Sequence, residues 1–186
     1  MPKLTIFTPA YNRAHTLPRT YKSLLCQSCK DFLWLIVDDG STDGTTELVH
    51  QWQTQDNGFE IQYIHKDNGG LHTAYNTAIA ELSTELATCI DSDDWLVDEA
   101  VEKILHKWIS DGNENLAGIE ALDCYANGEI IGDLLPDQET INLIDLYVGK
   151  YHIKNGDRKP VVRSDLYKSV APMPTLNGEK NFNPHY

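Results

Sequence analysis

The stretch Phe32-Leu-Trp-Leu-Ile-Val-Asp-Asp-Gly-Ser-Thr-Asp-Gly44 decides the fold class of this chain. It begins with an uninterrupted apolar run, which is typical of a strand buried on both faces of a parallel sheet. Asp, Gly, Ser and Thr follow at once, and these residue types favour a tight turn. Residues 45–52 then have helical spacing of apolar side chains, so the sequence predicts a strand, a turn and a helix in succession.

The same order of elements continues on both sides of this stretch. Further strands are predicted at residues 4–7, 61–64 and 86–90, and further helices at residues 18–25, 71–82 and 98–108. Strands that alternate with helices of this length indicate βαβ crossovers. We therefore expect an α/β three-layer sandwich with a mainly parallel central sheet.

The pattern changes after residue 110. Residues 116–125 and 129–131 resemble strands, and Ala126-Asn-Gly128 between them is a hairpin signal. Thr140 is a candidate cap for a helix at residues 141–147. The change in rhythm divides the domain into residues 1–110 and residues 111–186.

Composition excludes several classes of function. The chain has 186 residues, of which 41% are hydrophobic and 23% charged, and this suits one globular domain. Its formal net charge of −13 would repel phosphate backbones, so nucleic acid is not an expected partner. No apolar run approaches the roughly 20 residues that cross a bilayer, and no signal peptide precedes the first strand. We expect a cytoplasmic protein.

Polar clusters follow three of the predicted strands, at residues 8–13, 38–41 and 91–94. In an open α/β sheet, ligands bind beyond the carboxyl ends of the strands, so these clusters should meet at one crevice. Alone, the cluster that begins at Asp38 is equally compatible with a turn followed by a helix cap. An Asp-x-Asp occurs by chance in many acidic proteins, and an aromatic such as Tyr11 can lie at a rim without a ligand. The shared position of the three clusters is what favours a site. Aspartates that converge there would repel each other unless a cation lies among them. This favours a hard divalent metal with oxygen ligands.

Together these segments resemble glycosyltransferase family 2. The similarity rests on Thr8-Pro-Ala-Tyr-Asn12, Val37-Asp-Asp-Gly-Ser-Thr-Asp43, Asn68-Gly-Gly-Leu-His-Thr-Ala-Tyr-Asn76 and Asp91-Ser-Asp-Asp94, and it covers roughly residues 3–110. It implies the GT-A fold and transfer of a sugar from a nucleotide-sugar donor, with inversion at the anomeric carbon. It also implies a divalent cofactor, Mn²⁺ or Mg²⁺.

The resemblance implies a role for each matching residue. Pro9, Tyr11 and Arg13 would line the nucleoside pocket, with Tyr11 stacked on the base. Asp39 would accept a hydrogen bond from the base edge, which favours uracil or thymine and hence a UDP-sugar, whereas Asp38 would brace the loop. The other donor-binding residues would be Asn68, Gly69, Gly70 and Asp91, with Asp93 as the metal ligand.

Inverting members of the family also need a general base from the second half of the domain. Asn177-Gly-Glu-Lys180 is similar to the Gly-Glu-Lys segment of one bacterial subgroup and makes Glu179 the candidate, with a solvated loop acid as the alternative. The chain ends seven residues later, so we expect truncation at the C-terminus. Residues 1–110 would bind the donor, and residues 111–186 would form an incomplete acceptor side.

The expected acceptor is a saccharide or a lipid-linked saccharide, and the latter would bring the protein to the inner face of the membrane. One alternative is a donor-binding domain without transfer activity, favoured if Glu179 lies outside the crevice. A second alternative is a nucleotidyltransferase. That class needs a glycine-rich phosphate loop with Arg and Lys after the first strand, and Thr8-Pro-Ala-Tyr11 does not provide one.

Overall fold

A computed structural model describes residues 1–153, 156–175 and 179–180. Strands and helices alternate through its first part: β1 Leu4–Ala10, α1 Leu17–Leu25, β2 Phe32–Asp38, α2 Thr45–Gln53, β3 Glu60–His65, α3 Leu71–Glu81, β4 Leu86–Cys89 and α4 Ala100–Asp111. Every strand and helix predicted before residue 110 is therefore confirmed, with ends that differ by a few residues.

The later elements differ more from the sequence prediction. They are β5 Gly118–Leu122, α5 Leu143–Tyr147, β6 Arg158–Arg163 and α6 Ser164–Val170. In place of a regular hairpin, an isolated antiparallel bridge joins Cys124 to Ile130 beyond the end of β5. The cap predicted at Thr140 is wrong, because the side chain of Asn142 accepts the backbone N–H groups of the first turn of α5.

The sheet has the order β3-β2-β1-β4-β6-β5. β1 lies parallel to β2 and β4, β2 lies parallel to β3, and β6 runs antiparallel to β4. The mainly parallel sheet is thus confirmed. The chain leaves β1 towards β2 on one side and returns to β4 on the other, which makes the carboxyl end of β1 the topological switch point.

Helices cover both faces of this sheet, as a three-layer sandwich requires. All residues of β1 and β2 are buried, and successive side chains point to opposite faces. One core contains Leu4, Ile6, Phe32, Trp34 and Ile36, with residues of α1, α2 and α4. The other core contains Phe7, Leu33, Leu35 and Val37, with residues of α3.

The chain separates into two compact units, Met1–Ile119 with Val161–Tyr186, and Glu120–Pro160. The first unit contains the parallel strands and both cores. In the second unit, burial raises the pKa of the Glu120 carboxyl, although the nearby Arg158 opposes this shift. The division at residue 110 remains a prediction.

In the part of the chain that the structure describes, no helix has the length and apolar character needed to cross a bilayer.

Candidate functional site

A cleft of about 450 Å³ lies at the carboxyl ends of β1, β2 and β4. Its lining includes Pro9, Tyr11, Arg13, Asp39, Asn68, Gly70, Asp91 and Asp93, all singled out from the sequence. The structure adds Ala10, Leu71, Ala74, Ser92 and Lys180. The polar clusters therefore meet at one crevice, as their positions after the strands predict. The roles of the individual residues stay predictions.

A second cleft, of about 490 Å³, lies at the opposite edge of the sheet. Four of its polar side chains bind each other in two pairs: Arg163 Nη2 donates to Asp165 at 2.6 Å, and Trp108 Nε1 donates to Glu85 at 2.6 Å. Ligands of open α/β sheets bind at the carboxyl ends of the strands, and this cleft lies at the amino ends. The first cleft is therefore the candidate functional site.

Asp38, at the end of β2, is fully buried and holds the following loop. Its Oδ1 accepts the Ser41 backbone N–H at 2.8 Å, and its Oδ2 accepts the Tyr63 hydroxyl at 2.5 Å. Burial alone would raise the pKa of Asp38, but these hydrogen bonds lower it below its ordinary value. The expectation that Asp38 braces the loop is confirmed.

Removing the Tyr63 hydroxyl should make the fold sensitive to acid. We expect Tyr63→Phe to lower the free energy of unfolding at pH 7 by about 1.5–3 kcal/mol, the usual range for a hydrogen bond to a charged group. The depressed pKa of Asp38 means that its contribution is complete above the unfolded-state pKa and is lost as pH falls through the folded-state pKa. Without the phenol the folded-state pKa rises, so acid unfolding should begin at a higher pH.

The measurement is urea unfolding at pH 7 together with an acid titration followed by circular dichroism. Tyr125→Phe, at an exposed tyrosine, is the matched control and should behave like the wild type. Identical acid midpoints for Tyr63→Phe and the wild type would contradict this account of Asp38.

Asp39, the next residue, is also buried but faces the cleft. Its Oδ1 accepts Lys66 Nζ at 2.6 Å and the Gly69 backbone N–H at 3.0 Å, and its Oδ2 accepts the Gly70 backbone N–H at 2.8 Å. A carboxylate has about four acceptor positions, so Oδ2 can still accept a hydrogen bond from a ligand.

These contacts show how two of the converging aspartates, Asp38 and Asp39, are accommodated without a cation, while the expectation of a divalent cation beside the other aspartates stays a prediction. Asp38 is satisfied by hydroxyl and backbone donors, and Lys66 provides the positive charge beside Asp39. Lys66 is not among the residues that the sequence predicts for the site. The signal for it is the parallel register of β2 and β3, which pairs Asp38 with His65 and so brings the next residues, Asp39 and Lys66, side by side.

The glycines that precede α3, Gly69 and Gly70, lie too close to their neighbours to carry a side chain. Gly70 has a φ of +93°, and a Cβ there would lie 2.3 Å from the Lys180 carbonyl oxygen. A Cβ on Gly69 would lie 2.7 Å from Thr73 Oγ1. Only glycine fits both places without displacing its neighbours.

Hydrogen bonds fasten the loop after β1 to the other two polar clusters. The Asn12 backbone N–H donates to Ser41 Oγ at 2.8 Å, and Arg13 Nε donates to Ser92 Oγ at 3.0 Å. Tyr11 lines the cleft and stays 48% exposed, so a ligand in the cleft can reach this side chain.

Side chains of α1 hold the loop after β4 through hydrogen bonds to its backbone. Thr20 Oγ1 donates to the Asp94 carbonyl at 2.6 Å, and the Arg19 guanidinium donates to the Asp93 carbonyl. The Asp93 side chain is exposed at the cleft and Asp91 is half-buried there. Among the described residues, no group of three or more His, Cys, Asp and Glu could hold a metal ion. A cation in the cleft would thus depend on oxygens from a ligand or water, which is the usual situation of Mg²⁺.

Glu179 is exposed and is not among the residues that line the cleft, whereas its neighbour Lys180 is. The segment that carries the candidate base therefore reaches the cleft. The assignment of Glu179 as the base stays a prediction.

Comparison with known proteins shows the family. The model of "Glycosyl transferase family 2" matches residues 5–131. The chain belongs to glycosyltransferase family 2. Glycosyltransferase GlyA of Streptococcus pneumoniae is 34% identical over 105 residues, which are 56% of this chain and 15% of GlyA. This family 2 chain spans less than half the length of the curated relatives that it matches.

Solved structures confirm the GT-A fold of this family 2 chain. Residues 1–349 of Staphylococcus aureus TarS, in complex with UDP, give a TM-score of 0.70 at 20% identity, with 90% of this chain and 48% of that one covered. The mannosyltransferase PcManGT from Pyrobaculum calidifontis, in complex with GDP-Man and Mn²⁺, gives a TM-score of 0.65 at 17% identity. The match covers 93% of this chain and 48% of PcManGT. At these identities the likeness shows the fold alone.

Proposed function

We propose that this chain is the donor-binding part of a metal-dependent, inverting glycosyltransferase that takes a sugar from a UDP-sugar. The observation that carries the proposal is the cleft at the switch point of the sheet, where Tyr11, Asp39, Asp91 and Asp93 come together. This cleft offers an aromatic face, a hydrogen-bond acceptor and carboxylates to a single ligand. A base, a ribose and a metal-bound diphosphate have the complementary chemistry.

The choice of uracil depends on Asp39. The GT-A neighbours bind different nucleotides, UDP in TarS and GDP-Man in PcManGT, so the fold alone does not select the base. In the proposed complex the base stacks on Tyr11, and the remaining lone pair on Asp39 Oδ2 accepts the imide N–H of uracil. Asp91 binds the ribose. Pro9, Arg13, Asn68, Gly69 and Gly70 complete the donor site.

The metal proposal rests on the chemistry of the available donors. Asp91 and Asp93 offer hard carboxylate oxygens at the cleft, and Mn²⁺ or Mg²⁺ is commonly bound by one or two carboxylates together with substrate phosphates. Asp93 is the proposed ligand. A divalent cation there would act as a Lewis acid and stabilise the negative charge that develops on the departing diphosphate.

Transfer requires a base on the face of the sugar away from the diphosphate. In the proposed reaction the acceptor hydroxyl gives its proton to the Glu179 carboxylate. The oxygen of the acceptor hydroxyl then bonds to the anomeric carbon, while the bond from that carbon to the diphosphate oxygen breaks. The acceptor would be a saccharide or lipid-linked saccharide. Residues 111–186 are proposed to form the acceptor side, and residues 1–110 the donor side.

One observation favours a second candidate function, a domain that binds the donor without transferring the sugar. Glu179 is exposed and does not line the cleft, so in the part of the chain that the structure describes the candidate base lies outside the donor site. This alternative retains UDP-sugar binding and lacks both transfer and hydrolysis of the donor.

Selective binding of UDP tests the donor proposal. With manganese present, we expect UDP to raise the melting temperature more than GDP or ADP, because the one open acceptor position on Asp39 Oδ2 matches the single imide N–H of uracil. Guanine carries two adjacent donors on the corresponding edge, and adenine has no ring N–H. A ligand at about 100 times its dissociation constant stabilises the folded state by roughly 2.7 kcal/mol, which a thermal shift detects readily. Equal shifts for all three nucleotides would remove the case for uracil.

A further inference from the structure

The proposed donor brings a strongly negative diphosphate into a cleft that is itself acidic. Asp39, Asp91 and Asp93 line the cleft, and Arg13 and Lys180 are its two cations among the described residues. Binding an anion in such a place needs positive groups that are not already engaged. The available cations therefore decide where the phosphates can lie.

Lys180 has a charge that other described residues do not neutralise. Its side chain is exposed, and its ammonium makes no hydrogen bond or ion pair within residues 1–153, 156–175 and 179–180. Lys66 differs, because its ammonium donates to Asp39, to the Asp67 carbonyl and to Thr73. Of these two lysines, Lys180 is thus the one whose charge is not already paired with another residue that the structure describes.

Specific contacts hold the backbone of this region against α3. The Lys180 carbonyl oxygen lies 2.3 Å from the position of a Cβ on residue 70, so this backbone rests directly on Gly70. Further along α3, Asn76 Nδ2 donates to the Met173 carbonyl at 3.0 Å, and Asn76 Oδ1 accepts the Met173 N–H at 2.6 Å. We call this pair of hydrogen bonds the Asn76 clamp. It fixes the chain seven residues before Lys180, at the helix that borders the cleft.

We propose that Lys180 binds the diphosphate of the nucleotide donor, and that Asn76 is the positioning residue that keeps the Lys180 segment at the cleft. The inference rests on the proposed function and names the residue that meets the phosphates. It separates recognition of the base, by Tyr11 and Asp39, from recognition of the phosphates.

The first test compares ligands with and without phosphates. Lys180→Met should weaken UDP binding about tenfold or more, the scale of one hydrogen bond to a charged group, and leave uridine binding unchanged. The affinities are measured by calorimetry with and without manganese. Lys168→Met, which removes an exposed lysine outside the cleft lining, is the control for the change in net charge.

Each outcome of this comparison supports or overturns the assignment of Lys180 to the diphosphate. If wild type binds UDP and Lys180→Met binds it equally well, the inference is wrong and the proposed function survives. If Lys180→Met loses uridine and UDP affinity in equal measure, Lys180 acts on the whole site and the diphosphate assignment is wrong. If wild type does not bind UDP, the proposed function and this inference both fail.

The second test addresses the clamp. Asn76→Ala should lower UDP affinity by the same factor as Lys180→Met, keep uridine affinity, and cause no further loss when combined with Lys180→Met. Additive losses in the double variant would overturn the positioning role. If Asn76→Ala does not fold, Asn76→Asp replaces it, because it keeps the acceptor for Met173 N–H and removes only the donor. Wild-type UDP affinity in Asn76→Asp would equally overturn the clamp.

Discussion

Asp93→Asn should abolish the manganese dependence of UDP binding while leaving the ligand-free protein as stable as the wild type. Changes to residues that merely support a metal ligand already cost about 10–100-fold in metal affinity. Loss of the anionic ligand itself should therefore weaken manganese-dependent UDP binding by at least about 100-fold. Calorimetric titration of UDP, with manganese and with a chelator, measures the effect.

The melting temperature of the ligand-free variant shows whether Asp93 is a metal ligand or a carboxylate that supports the fold. The Asp93 side chain is exposed and makes no hydrogen bond to another described residue, since only its backbone carbonyl is held by Arg19. Its replacement should therefore leave the melting temperature nearly unchanged. Asp98→Asn, an exposed acid outside the cleft lining, controls for the lost charge. A lower melting temperature with unchanged manganese dependence would show that Asp93 supports the fold.

Glu179→Gln should reduce sugar transfer by about 100-fold or more, the usual contribution of general base catalysis. UDP-sugar affinity should stay nearly intact, because the base acts on the acceptor hydroxyl. Transfer is followed by release of UDP with an oligosaccharide acceptor, and donor affinity by calorimetry. Glu81→Gln, at an exposed acid at the end of α3, is the matched control.

The same assay separates an enzyme from a donor-binding domain. Unaffected transfer in Glu179→Gln would assign the base to another carboxylate, with Asp94 and Asp123 next to be replaced. Donor binding without transfer or hydrolysis in the wild type would favour the second candidate function. Neither result would alter the assignment of the chain to family 2.

Prediction from sequence succeeded where a structural feature depends on neighbours in the chain. The apolar run of β2 and the helical spacing of apolar residues in α1 to α4 predicted that strands alternate with helices. Strands and helices that alternate in this way form a parallel sheet. Beyond residue 110 the strands are short and half-buried, and the local signals are weaker. There the structure has a single bridge where the sequence predicts a hairpin, and Asn142 caps the helix for which the sequence predicts Thr140.

The sequence by itself determined the fold class, the family resemblance and the meeting of three polar clusters at one edge of the sheet, because each depends on periodicity or on strand ends. The tertiary structure decided which charges are neutralised and which remain available. Lys66 pairs with Asp39 through the register of β2 and β3, and the Asn76 clamp joins residues 97 positions apart. Such contacts arise when distant segments pack together, and no local pattern of residue types encodes their partners. For this reason Lys180 joins the cleft only in the folded chain.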